Sequence, residues 1–454
     1  DTSATQSFDI SVGAVNDAPS FTSGGNVTVL EESSAFSSPW ATALSNGPAD
    51  ESGQTLSFNI TNNSNSGLFL VAPVVSSTGV LSFTPQTNAS GTSTISINIM
   101  DDGGVANSGV NTSVDIMFDI IITDINDEPS FNAGADQSIL EDAGPQSVVA
   151  WATSITAGPP SESAQSLSFN VSNDNNALFS VQPAVSANGT LTYTTNTNAN
   201  GTATVTLNVM DDGGTANGGD NTSPDQMFNI SVLAVNDAPS FVVGADENVL
   251  EDAGAQTVVG WATSIAAGPA DESGQTISFN IAGNTAPALF ASGPSINNAG
   301  QLTYTPAADA VGTATISVNI MDNGGVLNSG VDTSIDQMFT INIIQVNDEP
   351  SFTVGADQSV NQNLGLQTVN GWVVASSPGP ANESGQTLSY NLSNNNNALF
   401  SVQPTVNAAG DLSYTSAMNM SGTAEVTINV MDNGGTANLG DDTSPDQTFN
   451  IDIL

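Results

Sequence analysis

The chain contains no lysine, arginine, histidine or cysteine, although it has 454 residues and 45 aspartates and glutamates. It therefore lacks a phosphate-binding surface, because nucleic-acid affinity comes mainly from Lys and Arg side chains that displace counterions. The same absence argues against anionic membrane surfaces. No stretch approaches the roughly 20 apolar residues of a membrane-spanning helix. The composition predicts no nucleic-acid partner and no direct membrane insertion of this segment.

The missing cysteine and lysine also exclude covalent cross-links. Disulfides need Cys, and isopeptide bonds to Asn or Asp need Lys, so stability must come from packing, hydrogen bonds and bound ions. The formal charge of −45 has no counter-charge within the chain. A medium with abundant divalent cations would relieve the repulsion between carboxylates. This balance favours an extracellular or cell-surface location for a secreted protein.

The remaining residue types include few side chains that commonly act in catalysis. Without His, Lys, Arg or Cys, only a carboxylate pair of glycosidase type or a serine without its usual base is left. The acidic clusters described below also recur four times, which suits a structural role better than one active site. We predict that the chain is not an enzyme and has no catalytic residues.

One acidic string recurs along the chain. It reads AVNDAPSF at 14–21, TDINDEPSF at 123–131, AVNDAPSF at 234–241 and QVNDEPSF at 345–352, and the closing phenylalanines lie 110, 110 and 111 residues apart. A period of this length is typical of a whole domain, since solenoid repeats span roughly 20–50 residues. Residues 1–12 match 442–453, so 1–15 is interpreted as the last strand of a preceding repeat. The predicted units are repeat 1 (16–125), repeat 2 (126–235), repeat 3 (236–346) and repeat 4 (347–454).

Short stretches with a period of two predict β-strands throughout. In repeat 3 these are QTISFNI at 275–281, QLTYTP at 301–306, TATISVNIM at 313–321 and QMFTINII at 337–344. Their apolar residues alternate with polar ones, and turns rich in Gly, Pro, Asn and Asp separate them. Roughly seven such strands per repeat favour an antiparallel sandwich of two sheets. The predicted fold class is all-β, with four sandwich domains in tandem.

Each repeat has a single tryptophan, at 40, 151, 261 or 372. One interpretation is a surface anchor for a sugar or for a neighbouring chain. A lone Trp within a strand of a small sandwich is more often part of the core, because burying a large aromatic ring is strongly favourable. We therefore predict core positions.

The acidic residues fall in turns or at strand ends. In repeat 3 they occupy LEDAG (250–254), GPADESGQ (268–275), MDNGG (321–325) and QVNDEP (345–350). A sandwich places its turns at its two ends, so acids from separate loops can gather where consecutive domains meet. Ca²⁺ prefers six to eight oxygen ligands, mainly carboxylates and carbonyls. With no basic partner available, Ca²⁺ is the expected counter-charge, and the alternative is that Asn and Asp only cap turns.

This order of motifs resembles the cadherin repeat, and more closely the cadherin-like and Ig-like tandem repeats of large bacterial surface proteins and adhesins, in which VNDAP is a frequent boundary string. In the cadherin pattern an early glutamate, an Asp-X-Asn-Asp linker, and an Asp-X-Asp plus a later Asp-Gly loop of the next domain share Ca²⁺.

The resemblance implies ligands at each junction between repeats. For the first junction, between repeats 1 and 2, they are Glu31 or Glu32, together with Asp124, Asn126, Asp127, Glu162 and Asp211. For the second junction, between repeats 2 and 3, they are Glu141, Asn236, Asp237, Asp271, Glu272 and Asp322. For the third junction, between repeats 3 and 4, they are Glu251, Asn347, Asp348, Glu383 and Asp432. For the junction before repeat 1 they are Asn16, Asp17, Asp50, Glu51 and Asp101.

The chain departs from the cadherin pattern in several places. No Asp-Arg-Glu string occurs, the first linker Asp survives only as Asp124, and Asn382 replaces the acid found at Asp50 and Asp271. One or two ions per junction are therefore expected instead of three. VNQNLG at 360–365 replaces LEDAG in repeat 4, so a junction beyond it is expected to bind least. A second candidate ion cluster, or an ordinary turn, lies at 330–337 in GVDTSIDQ.

The resulting functional hypothesis is mechanical. A Ca²⁺ ion shared between two domains would stiffen their junction, and a row of such junctions would form a rod or fibre segment of a bacterial surface adhesin or filament. The expected partners are neighbouring repeats of the same long chain, with self-association into fibres or a cell-surface ligand as further options. The alternative hypothesis is an array of Ca²⁺-dependent glycan-binding modules that uses the tryptophans and the Asn-rich loops.

Overall fold

The computed structural model describes residues 1–454 and contains β-strands joined by loops and short 3₁₀ helices, without an α-helix. It forms two compact units, residues 1–234 and 235–454. The structure contains no helix with the length and apolarity that crossing a membrane requires. The prediction of an all-β fold is therefore confirmed.

Each unit contains two successive groups of nine strands. The first group of the first unit is β1 (Ser20–Thr22), β2 (Val27–Leu30), β3 (Phe36–Pro39), β4 (Thr42–Ser45), β5 (Ser57–Asn63), β6 (Phe69–Val75), β7 (Val80–Pro85), β8 (Gly91–Met100) and β9 (Ile116–Thr123). Its second group is β10 (Ser130–Asn132), β11 (Gln137–Leu140), β12 (Gln146–Val148), β13 (Thr153–Thr156), β14 (Ser168–Asn173), β15 (Phe179–Val185), β16 (Leu191–Thr195), β17 (Gly201–Met210) and β18 (Gln226–Leu233).

The second unit repeats this order. Its first group is β19 (Ser240–Val242), β20 (Glu247–Leu250), β21 (Gln256–Val258), β22 (Thr263–Ala266), β23 (Ser278–Asn284), β24 (Phe290–Ile296), β25 (Leu302–Pro306), β26 (Gly312–Met321) and β27 (Gln337–Ile344). Its second group is β28 (Ser351–Thr353), β29 (Gln358–Val360), β30 (Gln367–Val369), β31 (Ala375–Ser377), β32 (Ser389–Asn394), β33 (Phe400–Val406), β34 (Leu412–Ser416), β35 (Gly422–Met431) and β36 (Gln447–Ile453).

Short 3₁₀ helices interrupt the loops at three places in each group. In the first unit they are Ala49–Glu51, Ser66–Leu68, Ala106–Ser108, Pro160–Glu162, Asn176–Leu178 and Ala216–Gly218. In the second unit they are Ala270–Glu272, Pro287–Leu289, Leu327–Ser329, Ala381–Glu383, Asn397–Leu399 and Ala437–Leu439.

Every group has the same sheet topology, which the second group illustrates. A four-stranded sheet has the order β11-β18-β17-β14, a three-stranded sheet has the order β12-β16-β15, and β10 pairs with β13. The pairing of β11 with β18 is parallel, while the other pairs are antiparallel. The structure thus adds one parallel pair and two short strands to the antiparallel sandwich of roughly seven strands that the sequence predicts. The chain first forms β10, which pairs with β13, and then β11, which pairs with β18 at the edge of the four-stranded sheet.

Three of the four strands predicted in repeat 3 agree with the structure to within one residue, whereas the fourth is displaced by three residues. The strand predicted at 275–281 begins instead at Ser278, in β23. The two residues expected to open it are used elsewhere: the Gln275 side chain donates to Asn236 at 2.7 Å, and the backbone N–H of Thr276 donates to Asn323 at 2.8 Å. Side-chain acceptors in neighbouring loops thus delay the start of this strand.

Four separate hydrophobic cores lie between the sheets, and each contains one tryptophan. The tryptophan side chains are 3–4% exposed, which confirms the predicted core positions. The Trp151 ring packs against Phe228 with centroids 4.3 Å apart, and its Nε1 donates to the carbonyl of Ala135 at 3.0 Å. Gly134 allows this contact, because a Cβ there would overlap the indole. Burial of the ring with its N–H satisfied is the arrangement expected for a core Trp.

Residues 1–19 belong to no strand in the structure. Phe8, Ile10 and Val12, which match buried positions of the last strand of repeat 4, are 77–87% exposed. The assignment of 1–15 to a preceding repeat and the boundaries of the four repeats stay predictions.

Candidate metal centre

An asparagine in each recurrent acidic string ties together the loops at one end of its own repeat. In repeat 4, Asn347 Nδ2 donates to Asp432 Oδ1 at 3.0 Å and to the carbonyl of Asp441 at 2.8 Å. Its Oδ1 accepts a hydrogen bond from Gln386 Nε2 at 2.7 Å. The same three hydrogen bonds are made by Asn16, Asn126 and Asn236. These predicted ligands therefore already have protein partners within their own repeat.

A buried glutamate in each GPxxE segment fixes the next residue of the linker. Glu383, at the end of a short 3₁₀ helix, is 1% exposed, and its Oε1 accepts the backbone N–H of Asp348 at 3.0 Å. Gly379 leaves room for this carboxylate, because a Cβ at that position would overlap Glu383 Oε2. The equivalent bonds join Glu51 to Asp17, Glu162 to Asp127 and Glu272 to Asp237.

The second oxygens of these buried acids have no hydrogen-bond partner. In repeat 4 they are Glu383 Oε2 and Asp432 Oδ2, and Gln386 Oε1 is equally unpaired. A buried carboxylate without a partner is costly, so each case calls for a bound ion, water or other compensation. The same unpaired oxygens recur in all four repeats, so they are a consistent feature of the fold. The other unpaired oxygens belong to Glu51, Gln54, Asp101, Glu162, Gln165, Asp211, Glu272, Gln275 and Asp322.

A cavity of about 250 Å³ opens beside this group in repeat 4. It is lined by Gln345, Asn347, Gln386, Gly434 and Ala437, a largely polar set with no basic residue. A Cβ at Gly434 would overlap the Asn347 amide, so glycine is required where the MDNGG loop approaches the linker. The cavity therefore borders the hydrogen-bonded pair of Asn347 and Gln386.

The first junction gathers carboxylates from both neighbouring repeats. Glu31 is 1% exposed, and its Oε1 accepts the backbone N–H of Ile125 at 2.8 Å, while its Oε2 is unpaired. Burial raises the pKa of Glu31 to about 6, and the charges of Asp124 and Asp127 contribute to the rise. Burial also raises the pKa of Asp127, as do the charges of Glu32 and Asp124. The charges of Glu31, Glu32, Asp124 and Asp127 therefore act on one another, while their role as ligands stays a prediction.

The third junction contains the tightest carboxylate group. Oxygens of Asp252, Asp309 and Asp348 lie within 4.8 Å of one another. Asp348 Oδ2 is buried and unpaired, and burial together with the charges of Asp252 and Asp309 raises the pKa of Asp348. Beside them, Glu251 Oε1 accepts the backbone N–H of Val346 at 2.8 Å. Residues of repeats 3 and 4 thus form one acidic site.

Asp252 and Asp309 were absent from the ligands inferred from the sequence. Asp309 follows β25 in a left-handed conformation (φ 55°), and Asn88, Asn198 and Asn419 hold the matching positions with φ of 55–59°. Asp309 was overlooked because the other three repeats have Asn at this turn position. The replacement of Asn by Asp in this single repeat was the available signal.

The other predicted ligands are distributed as follows. For the second junction, Glu141 lies in the first compact unit and accepts a hydrogen bond from Asn200 at 3.3 Å. Its predicted companions, Asn236, Asp237, Asp271, Glu272 and Asp322, lie in the second unit. Asp50 and Asp271 are exposed at the start of their 3₁₀ helices.

The second candidate cluster in repeat 3 is already hydrogen-bonded. Asp336 accepts from Ser317 at 2.9 Å and from Asn319 at 2.7 Å, and Asp332 accepts from Thr333 at 2.9 Å. These contacts favour an ordinary turn over an ion site at this place.

The donor set at the junctions consists of oxygen alone. Carboxylates predominate, and neither imidazole nor thiolate exists anywhere in the chain. Oxygen ligands with spare lone pairs suit a hard cation such as Ca²⁺, whereas Zn²⁺ and Cu⁺ sites use nitrogen or sulfur. The unpaired buried oxygens and the three clustered carboxylates therefore fit Ca²⁺.

Stability without divalent cations is expected to fall as the pH rises from about 4.5 to 6. The pKa of Glu31 is raised from 4.5 to about 6 in the folded chain, so in this window the folded state retains a proton that the unfolded state has lost. Proton loss then favours unfolding, and the destabilisation is complete above pH 6. The raised pKa values of Asp127, Glu162, Glu251, Glu272, Asp348 and Glu383 act in the same direction.

Thermal melting in chelator at several pH values measures this dependence, with Glu31→Gln as the comparison. The neutral amide should flatten the dependence between pH 4.5 and 6. Equal slopes for the two proteins would contradict the role given to Glu31.

No protein-family model matches the sequence, and no curated protein matches it either. Several solved structures are similar to it over long stretches. The human desmocollin-1 ectodomain is 16% identical, with 96% of this chain and 79% of that chain covered and a TM-score of 0.32. The protocadherin GammaB4 extracellular domain is 15% identical, with 96% and 67% covered and a TM-score of 0.37. Human CDH23 EC21-23 is 18% identical, with 71% and 99% covered and a TM-score of 0.40.

Proposed function

We propose that this chain is a non-catalytic, extracellular structural protein, a Ca²⁺-stiffened rod or fibre segment of a bacterial surface adhesin or filament. One observation carries the proposal: Asp252 and Asp309 of repeat 3 and Asp348 of repeat 4 bring their carboxylate oxygens within 4.8 Å of one another. Like charges this close repel strongly unless a cation lies between them. Since the three residues come from adjacent repeats, neutralising them also fixes one repeat against the next.

Hydrogen bonds within the protein already hold the carboxylates of the two buried glutamates in place. Backbone N–H groups of the linker hold one oxygen of each buried glutamate, as Val346 does with Glu251 and Asp348 does with Glu383. The remaining oxygen of Glu383 is then aimed into a buried position without a partner. A bound Ca²⁺ would supply the missing positive charge and accept these oxygens as ligands. Preorganised ligands of this kind reduce the entropy lost on binding.

The four predicted repeats, with boundaries after residues 125, 235 and 346, are the proposed mechanical units. Their nearest partners are neighbouring repeats of the same chain, and lateral self-association or a cell-surface ligand would add further contacts. The glycan-binding alternative loses its main support, because the tryptophans that would form a sugar platform are 3–4% exposed. The rod is therefore the better supported proposal.

The combined substitution Asp252→Asn and Asp309→Asn tests the proposed site. It should remove about one bound Ca²⁺ per chain, or weaken that ion at least about tenfold, because ligand charge sets the affinity of such sites. Asn already occupies the position of Asp309 in the other three repeats, so the fold should tolerate the change. Calcium titration by isothermal calorimetry gives the number of ions and their affinities.

Asp332→Asn provides a matched control in the same repeat. Its carboxylate is hydrogen-bonded to Thr333 outside the proposed site, so the number of bound ions should not change. Unchanged binding in the double variant, or equal losses in the double variant and the control, would contradict the proposed site.

A further inference from the structure

Two uncharged amide side chains distinguish the third junction from the first. Asn382 of repeat 4 donates its Nδ2 to Glu251 Oε2 of repeat 3 at 3.0 Å. Glu251 Oε1 is already bonded to the backbone N–H of Val346 at 2.8 Å, so both oxygens of this buried carboxylate have protein donors. This is a direct hydrogen bond from one repeat to the next.

The first junction lacks an equivalent donor. Ser161 holds the position of Asn382, and Glu31 Oε2 is buried without any hydrogen-bond partner. Asp124, which adds to the rise in the pKa of Glu31, is a further negative charge. At the third junction the uncharged Gln345 holds the position of Asp124. Amides thus replace a hydroxyl and a carboxylate.

The difference matters because an amide N–H group and a cation compete for the same lone pairs of a carboxylate. A glutamate with both oxygens bonded has its charge stabilised by the protein itself, since hydrogen bonds to charged groups are among the stronger ones. A buried glutamate with one unpaired oxygen depends on an external cation.

We propose that Asn382 takes the place of a cation at Glu251, so that the third junction keeps a direct tie between repeats 3 and 4 when Ca²⁺ is withdrawn, whereas the first junction does not. This inference rests on the proposed function, because it assigns the two junctions different Ca²⁺ dependence within one chain. As the Ca²⁺ concentration falls, the hold on Glu31 is lost before the hold on Glu251, although repulsion among Asp252, Asp309 and Asp348 also returns at the third junction. The junctions of one chain then lose their contacts at different Ca²⁺ concentrations, and the residues at each junction determine which is lost first.

The linker amides of Ile125 and Val346 report on the two junctions in the full-length chain. Each donates to the buried glutamate of its junction at 2.8 Å, so its hydrogen exchange measures how firmly that glutamate is held. Exchange resolved to single amides by mass spectrometry is compared in Ca²⁺ and in excess chelator. Chelation should accelerate exchange at Ile125 at least about tenfold more than at Val346.

Two reciprocal substitutions exchange Asn382 and Ser161, one of the two pairs of residues that distinguish the junctions. Asn382→Ser gives the third junction the residue of the first, and Val346 should then become as sensitive to chelation as Ile125. Ser161→Asn should protect Ile125 in chelator. The amides of Val209 and Val430, which are buried and bonded to Ser223 and Ser444 at 3.0 Å, verify that the sandwiches stay folded.

The outcomes separate this inference from the proposed function. Equal acceleration at Ile125 and Val346, or no effect of Asn382→Ser on Val346 while Val430 stays protected, overturns the role of Asn382 and leaves the Ca²⁺ tie standing. No effect of chelation on either amide means that the junctions are not tied by Ca²⁺, and the proposed function itself fails.

Discussion

Excess chelator is expected to lower the melting temperature of the full chain by more than about 10 °C. An ion present at about a thousand times its dissociation constant stabilises the folded state by roughly 4 kcal/mol. For a domain of about 100 residues, each kcal/mol moves the midpoint by roughly 4–8 °C. Removal also restores repulsion among Asp252, Asp309 and Asp348, which lie within 4.8 Å of one another. Differential scanning calorimetry with Ca²⁺ and with chelator measures the change.

Small-angle X-ray scattering of the same samples adds the mechanical readout. A chain whose junctions loosen should become more flexible, and its maximum dimension should shorten on chelation. Sodium chloride at matched ionic strength is the control, because simple screening of exposed charges does not need a divalent ion. Unchanged melting and scattering after chelation would mean that the acids of the linkers serve only as turn residues.

Gly379→Ala is expected to destabilise repeat 4 by roughly 2–4 kcal/mol, with a matching fall in its unfolding temperature. Gly379 has φ of +151°, a conformation that L side chains avoid, and a Cβ there would overlap Glu383 Oε2. Strain of this kind costs roughly 1–3 kcal/mol. Displacing Glu383 also breaks its hydrogen bond with the backbone N–H of Asp348, which costs about 1 kcal/mol or more.

Gly385→Ala is the matched control for this prediction. Gly385 follows the same 3₁₀ helix, but nothing lies within 4 Å of a Cβ added there, and its backbone needs no glycine conformation. Calorimetry should show one shifted transition for Gly379→Ala and none for Gly385→Ala. Equal stability of the two variants would contradict the requirement for space beside Glu383.

The two variants also bear on Ca²⁺ binding. Because Glu383 is one of the inferred ligands, the Gly379 variant should bind Ca²⁺ less tightly at repeat 4 even below its melting temperature. The Gly385 variant should bind as the unmodified chain does. Stability and ion binding are therefore linked through one carboxylate.

Local sequence pattern was sufficient for the strands and the cores. The strand predicted at 337–344 coincides with β27, because alternation of apolar residues reflects the two faces of a half-buried strand. The four tryptophans were placed correctly in the core for a similar reason, since a large aromatic ring has no better environment in a small sandwich. The start of β23 was misplaced, because Gln275 and Thr276 bond to side chains from distant loops.

The candidate site was only partly predictable. Composition alone established that no basic residue could neutralise the acids, and the repeat period predicted that similar acidic loops recur at each junction, with departures such as Asn382. The resemblance to cadherin repeats also pointed to Glu31 and Glu383 as ligands, but their burial was not predicted. The tertiary structure then located the partners of their oxygens.

What the sequence by itself determined was an all-β tandem array, its period of about 110 residues, its buried tryptophans and an oxygen-only donor set. Only the tertiary structure revealed that Asp252 and Asp309 approach Asp348, that the linker asparagines bond within their own repeats, and that Asn382 bonds to Glu251 across the third junction. The physical reason is the distance along the chain between the residues that interact. Alternation and turn chemistry act between neighbours along the chain, whereas the pairing of Asn382 with Glu251 joins residues 131 positions apart.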